Sequence, residues 1–247
     1  MIESIRCLED ALAAARELRF RLQYPLWWRG HANASWSLVP KIFRGGQNYT
    51  IESNMALRFR MRARTRHPSC PDDDDNAGWL NLMQHYGLPT RLLDWSESPL
   101  TALFFAIEAD HGSDGRLWVL SPARLNRAMT GVLFLAVSDR GEARELIDDV
   151  FDEKTRDRRK AIAIMPKEVD ARMLLQHSTF TIHGTAEPLN QLIADGDIIR
   201  SFVIPSSEKD RLREDLELVG ISRATIFPDL ENLSADIAWH EWRNARP

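Results

Sequence analysis

Cysteine and long apolar runs are scarce in this chain. Its 247 residues include two cysteines, Cys7 and Cys70, which form no Cys-x-x-Cys pair. This argues against a disulfide scaffold or a cysteine zinc site and favours a reducing compartment. The longest apolar run, residues 100–107, is far shorter than the about 20 residues that a membrane-spanning helix needs. The first 20 residues mix charges into their apolar positions, unlike a signal peptide. We therefore predict a cytoplasmic protein without membrane contact.

Several signatures of catalysis are also missing from the sequence. There is no Gly-x-Ser-x-Gly elbow, no His-Glu-x-x-His zinc motif and no glycine-rich phosphate loop behind a predicted strand. The seven histidines form no pair with metal-ligand spacing, so we predict no metal site. The net charge of −4 gives no general attraction for nucleic acid. Any such contact would have to come from a local patch.

The composition that remains is that of a large globular protein, with 44% hydrophobic and 28% charged residues. Apolar residues at helical spacing predict helices at residues 3–20, 51–66, 76–86, 122–129, 141–151, 169–175 and 207–219. Strand patterns fall at residues 24–28, 116–120, 132–137, 161–165, 178–182 and 198–204. We therefore predict an α+β fold, with an N-terminal helix over residues 1–22 and one domain over residues 23–247.

The first candidate motif reads WWRGHANASWSLVPKIFR. Arg29, at the end of a predicted strand, could present its planar fork to a phosphate or a carboxylate. Gly30 leaves room for another group to approach the backbone, and His31 could donate to a ribose or a carboxylate. The alternative is a structural arginine, stacked on Trp28 or paired with Asp94, beside a turn glycine.

The second candidate motif, QHYGLPTRLLDWSESPLTALFFAI, joins charged and aromatic residues to an apolar helix. Arg91 and Asp94 stand three residues apart and could pair. In an extended segment Asp94, Ser96 and Ser98 share one face, where they either cap the following helix or face a ligand. We expect Ser98 to be the N-cap of a helix that begins at Pro99, and both interpretations of Ser96 stay open. The apolar residues that follow are expected in the core.

The third candidate motif, LLQHSTFTIHG, carries polar residues at the start of a predicted strand. Gln176 and Ser178 fall on one face and His177 and His183 on the other. Such residues line active sites in some proteins and ordinary edge strands in others, and the pattern fits both.

Two charged runs have a simple structural interpretation. The aspartates of residues 72–75 suit a solvated loop before a helix, with a weak cation site as the alternative. The run RFRMRARTRH at residues 58–67 places five arginines on one helix. It could face nucleic acid or an acidic partner, or it could be a solvated helix paired with nearby carboxylates.

Taken in order, these stretches resemble the FRG domain family. That family has an aromatic-Arg-Gly segment followed by Trp or Tyr, Leu-x-Pro and Arg, and its central block resembles QHYGLPTRLLDWSESPLTALFFAI almost word for word. Later family blocks resemble ARMLLQHSTFTIHG and IFPDLENLSADIAW, so the resemblance extends over residues 24–239. In one departure, Ser178 stands where the family has glycine. FRG domains occur in bacterial and phage-related proteins, in settings that suggest toxins or phage-defence effectors.

A looser resemblance connects the chain to ADP-ribosyltransferases. Those enzymes carry an Arg or His on an early strand, a serine-rich strand that enters an Ala- and Phe-containing helix, and often a Glu on a late strand. Arg29 with Gly30 is similar to the first element, and DWSESPLTALFFA to the second. In the third place stand Gln176 and His183, with Glu187 just beyond the predicted strand.

This resemblance implies mixed or antiparallel sheets split around a cleft, with helices outside, and NAD as a substrate. Arg29 would hold the phosphates, Ser96 would position the ribose, Trp28 or Tyr86 would stack, and Asp94 could replace the missing Glu. The candidate catalytic residues are Arg29, Asp94, Ser96 and Gln176. The candidate cofactor-binding residues are Trp28, Arg29, Gly30, His31, Tyr86, Arg91 and Ser96.

Three functions follow from these patterns. The first is an NAD-binding, ADP-ribosyltransferase-like domain that modifies a nucleic-acid or protein acceptor. The second is a non-enzymatic module that binds a nucleotide or nucleic acid. In the third, Arg29, Arg91 and Asp94 form a buried structural network in a scaffold whose activity lies elsewhere.

Overall fold

The computed structural model describes residues 3–45, 49–134, 136–137, 140–152, 157–166 and 171–244. Within these ranges one mixed sheet contains seven strands. The strands are β1 (Trp27–His31), β2 (Leu92–Ser96), β3 (Gly115–Leu120), β4 (Ala136–Val137), β5 (Ala161–Met165), β6 (Ser178–His183) and β7 (Ile199–Ile204). Their order across the sheet is β4-β5-β6-β2-β1-β3-β7, and all neighbours are antiparallel except β4 and β5.

Eleven α-helices surround this sheet within the described ranges. They are α1 (Leu8–Leu22), α2 (Tyr49–Ala63), α3 (Asn76–His85), α4 (Pro99–Ile107), α5 (Pro122–Thr130), α6 (Gly141–Phe151), α7 (Ala171–Leu175), α8 (Leu189–Leu192), α9 (Lys209–Leu218), α10 (Arg223–Ile226) and α11 (Leu230–Asn244). Short 3-10 helices lie at Lys41–Phe43 and Ser206–Glu208. The predicted α+β class is confirmed. No helix of the described residues is long and apolar enough to cross a bilayer.

The sheet opens between β1 and β2. These two strands pair only where Trp28 lies opposite Ser96, whereas the other antiparallel pairs extend over four to six residues. The expected separation around a cleft therefore occurs inside one sheet and not between several sheets. The opening divides the sheet into a half with β1, β3 and β7 and a half with β2, β6, β5 and β4.

Alternating apolar side chains build a separate core on each half. On one face, Trp28, Leu117 and Phe202 pack under α1, α4 and α9. On the same face of the other half, Leu92 and Phe180 belong to a second core that includes residues of α3 and α6. Because α1 contributes buried residues to the first core, the N-terminal helix packs as part of this body. A third core, which includes Trp27 and Trp95, covers the opposite face.

Two strands differ from the sequence prediction. β1 begins and ends three residues later than predicted, so that Arg29 and Gly30 lie within the strand and not at a turn. The polar start of β6 is not an edge, because this strand lies between β5 and β2. The side chains of β6 alternate between the two faces as predicted. The backbone is left-handed at His177 (φ 46°), one residue before the strand begins at Ser178. The predicted strand at residues 132–137 and helix at residues 169–175 lie partly outside the described residues.

Candidate functional site

A cleft of about 960 Å³ lies at the opening of the sheet. Trp28 and Phe105 line it from the first core, and Leu88 and Leu92 line it from the second. Seven of the nine candidate residues border this cleft. They are Trp28, Arg29, Gly30, Tyr86, Asp94, Ser96 and Gln176. His31 and Arg91 do not border it. The order of the strands brings together segments that are up to 147 residues apart in the chain, such as Arg29 and Gln176 (176 − 29 = 147).

Arg29 reaches across the opening between the two strands. Its Nη1 donates to the Asp94 carbonyl oxygen at 2.6 Å and lies 3.6 Å from Asp94 Oδ2. Its Nε donates to Nε2 of His31 at 3.0 Å. Within the described part of the chain, Nη2 makes no hydrogen bond and is the donor that remains for a ligand anion. Burial lowers the pKa of Arg29, but a guanidinium stays protonated at neutral pH.

His31 positions Arg29 and does not reach the cleft, which corrects its predicted role as a cofactor ligand. Because its Nε2 accepts from Arg29, its Nδ1 carries the proton, which it donates to the Trp36 carbonyl oxygen at 3.2 Å. The ring is buried, and burial, together with the Arg29 charge, lowers the pKa of His31 to about 3. His31 is therefore a neutral group that fixes one side of the guanidinium.

Asp94 is the carboxylate nearest to Arg29. Gln84 donates from Nε2 to Asp94 Oδ1 at 2.8 Å, and Gln84 Oε1 in turn accepts from the Thr90 hydroxyl. This chain orients the carboxylate, whose side chain is still 54% exposed. Asp94 can therefore accept a hydrogen bond from a ligand without first breaking away from its partners. The 3.6 Å contact also means that the predicted structural alternative for Arg29, a pair with Asp94, is present in the same arrangement.

Ser96 and Ser98 organise the start of α4. Ser98 accepts from the Thr101 N–H and is the predicted N-cap. The Ser96 hydroxyl donates to the Gln176 carbonyl oxygen at 2.6 Å and accepts from the Ser98 N–H at 3.0 Å. Because the Ser96 proton is already donated to backbone, its hydroxyl could offer a ligand only a remaining lone pair. The Gln176 amide donates to the Ile226 carbonyl oxygen at 3.3 Å.

Arg91 is a structural residue, which corrects its predicted role in cofactor binding. Its side chain is 1% exposed, and its Nη2 lies 2.6 Å from Glu52 Oε2. Its Nη1 donates to the Leu146 carbonyl oxygen at 3.0 Å. The expected local pair with Asp94 is absent, because the guanidinium points to α2 and α6.

Gly30 is required by the packing of a helix. A Cβ atom at this position would lie 2.0 Å from the Ala102 carbonyl oxygen and 2.4 Å from the Ala106 amide nitrogen. The sequence suggested that a ligand could approach the backbone at Gly30. The group that approaches it is instead the backbone of α4. Gly30 still borders the cleft, since close contact between β1 and α4 forms part of its wall.

The rest of the cleft combines aromatic rings with both signs of charge. Trp36 and Tyr86 are more than half exposed and offer ring surface to a ligand. The basic residues besides Arg29 are Lys41 and Arg44, which donate to carbonyl oxygens at 3.0 and 3.2 Å. Sequence reasoning did not name any of these except Tyr86. The sequence signal that could have indicated these residues is their position in the first motif, which contains Trp36 and the two basic residues.

Two acidic residues at the start of α11 complete the cleft and were also missed. Asp229 caps this helix, because it accepts from the Asn232 N–H at 2.8 Å and from the Asn232 amide. Glu231 is exposed and borders the cleft. Its place could not be read from local spacing, since it lies far from Arg29 in the chain. The segment that carries it, IFPDLENLSADIAW, resembles the family but has no local pattern that indicates a site.

The aspartate run has the structural role that the sequence indicated. Asp75 caps α3 by accepting from the Gly78 N–H at 2.9 Å. Asp73 pairs with Arg60 and Arg64. Among the described residues, no group of three or more His, Cys, Asp or Glu side chains could hold a metal ion.

Comparison with known proteins bears on the same segments. Residues 24–115 match the family model of the FRG domain. The chain carries an FRG domain. The match contains β1, the central block and Arg29, Asp94 and Ser96, while the later segments that border the cleft lie beyond it. No curated protein and no solved structure gives a significant match.

Proposed function

We propose that the cleft of this FRG domain binds NAD and that the protein is an ADP-ribosyltransferase-like enzyme. The observation that supports this most is the Arg29 guanidinium, which borders the cleft and is fixed at the sheet opening by His31 and Asp94, while its Nη2 has no hydrogen-bond partner among the described residues. A bound pyrophosphate is the kind of anion that such a fork recognises. The cleft volume suits a dinucleotide, because ligand sites are typically a few hundred to about 1,000 Å³.

The chemistry requires the bond between nicotinamide and ribose to break with its electron pair on nicotinamide. The acceptor atom then forms a bond to the same ribose carbon and loses a proton. The ribose passes through an oxocarbenium-like state, as in glycoside cleavage, which a nearby carboxylate stabilises. Asp94, oriented by Gln84, and Glu231, which also borders the cleft, are the two candidates for this role. Trp36 and Tyr86, whose exposed rings border the cleft, would cover the base rings.

The test is the incubation of purified protein with NAD while nicotinamide release and thermal protection are followed. We expect both for the unchanged protein, loss of both for Arg29→Ala, and no change for Arg144→Ala, a surface substitution on α6. Asp94→Asn and Glu231→Gln should keep NAD binding, and the one that loses turnover identifies the carboxylate. Without thermal protection by NAD, the proposal fails.

A nucleotide-binding module without turnover is the second candidate. It is favoured by β6, where the Glu of ADP-ribosyltransferases is absent and Ser178 borders the cleft. Protection by NAD without nicotinamide release, for every acceptor tried, would select this function.

The setting of the family extends the proposal to a toxin or phage-defence effector. Induced expression in bacteria should slow growth, and Arg29→Ala should relieve the effect at equal protein level. Equal growth inhibition by both proteins would remove this part of the proposal.

A further inference from the structure

A second cavity, of about 530 Å³, lies between α2 and α3. Its floor is apolar and includes Phe59, Leu82 and Leu88. Three arginines form its rim, namely Arg58 and Arg62 of α2 and Arg66 in the turn that follows this helix. We call this cavity the α2 groove. An exposed apolar surface with a polar rim is a feature of many interaction sites and ligand-binding grooves.

The five arginines of the basic run divide into two sets. Arg60 and Arg64 pair with Asp73 and stack over the Trp79 ring at 5.4 and 5.5 Å. They are therefore structural, as the simpler interpretation of the sequence held. The groove arginines differ, because none of them contacts a carboxylate within the described part of the chain.

The groove arginines lie along α2 and the turn that follows it. Arg58 and Arg62 are four residues apart on α2, so their side chains are displaced by about 6 Å along the helix axis, and Arg66 follows in the turn after Ala63. Arg66 Nη1 donates to the Arg62 carbonyl oxygen at 2.8 Å, which holds it against the end of the helix. The result is a row of exposed positive charge beside an apolar floor.

The α2 groove and the candidate cleft are neighbours with a shared border. Tyr86 and Leu88 border both cavities. The Tyr86 ring is 58% exposed and meets the His67 ring edge-on, with centroids 5.8 Å apart. The shared Tyr86 is therefore the position at which a ligand on the groove would come nearest to the cleft.

We propose that the α2 groove binds single-stranded nucleic acid and presents it to the cleft as the acceptor. Phosphates would lie on the row of groove arginines, and an unstacked base would lie on Tyr86. Grooves for single strands combine a basic track with aromatic platforms in this way. Polyglutamate would use the charges but has no base to lie on Tyr86, and a paired duplex would not expose its base faces. Only the role as acceptor rests on the proposed function, since the binding stands without it.

The experiment measures the affinity of the full chain for labelled single-stranded DNA and RNA of mixed sequence. The triple variant R58Q/R62Q/R66Q is compared with R16Q/R19Q/R21Q, which removes the same charge from α1. Three phosphate contacts on a single strand give a salt slope near −2, so affinity should fall about 20-fold between 50 and 200 mM salt. The groove variant should lose this dependence and the α1 variant should keep it.

Tyr86→Ala tests the stacking and should weaken single-strand binding about fivefold or more. The inference is overturned if no oligonucleotide binds at low salt, if the two triple variants bind equally, or if duplex or polyglutamate binds as well as the single strand does. The comparison of the affinities for DNA and for RNA shows which of the two nucleic acids the groove prefers. If the unchanged protein binds no oligonucleotide but is protected by NAD, the groove inference alone fails, whereas if it binds oligonucleotide but is not protected by NAD, the proposed function alone fails.

Discussion

Arg91 offers the sharpest distinction between structural and ligand-binding arginines. Its guanidinium is 1% exposed and contacts Glu52, which is 3% exposed. Arg91→Ala would leave the Glu52 carboxylate buried without its cation, and breaking such a pair costs about 3–5 kcal/mol. For a chain of this size that corresponds to a melting temperature lower by roughly 6–20 °C.

Urea unfolding followed by tryptophan fluorescence measures this loss directly. The double variant R91M/E52L removes both charges and fills the space with apolar side chains, so it should recover most of the lost stability. Arg91→Lys should not recover this stability, because an ammonium group cannot reproduce the planar set of donors of the guanidinium. If Arg91→Ala folds as stably as the unchanged protein and instead loses nucleotide binding, the structural assignment is wrong.

Three further substitutions follow from the packing. Gly30→Ala should destabilise the protein by about 1–3 kcal/mol or more through contact with the α4 backbone, whereas Gly112→Ala, which meets nothing within 4 Å, should be neutral in the same urea titration. Ser98→Ala should cost about 1 kcal/mol, because it removes the helix N-cap; an unchanged unfolding midpoint would contradict this. His31 and His183 have pKa values lowered to about 3 by burial, so below pH 6.5 the unfolded chain binds protons that the folded chain does not. Stability should therefore fall by about 2 kcal/mol for each of them between pH 7 and pH 5, and His183→Gln should remove about half of that loss.

Elements set by local patterns were predictable from the sequence. The bounds of α6 and the start of α4 agree with the prediction, because apolar spacing and a Ser-Pro pair act within a few residues. β2 was not predicted as a strand, since Asp94 interrupts its apolar residues. The predicted bounds of β1 were three residues too early, because in the sequence a glycine that packs closely against a helix looks the same as a turn glycine.

The partners of the two motif arginines could not be predicted from spacing. Arg91 and Asp94 are three residues apart, yet Arg91 pairs with Glu52 and it is Arg29, 65 residues away, that reaches Asp94. Such choices depend on which strands are neighbours in the sheet and on which residues are buried. The same reason hid Glu231, which reaches the cleft only because α11 lies beside it.

The most direct test of the account is the thermal stability of the protein and of Arg29→Ala with increasing NAD. A ligand at 100 times its Kd adds about 2.7 kcal/mol, so saturation should raise the melting temperature by roughly 5–11 °C. Loss of hydrogen bonds to the phosphates should weaken binding in the variant about 10- to 150-fold. Equal shifts for both proteins, or no shift for the unchanged protein, would contradict a nucleotide site built around Arg29.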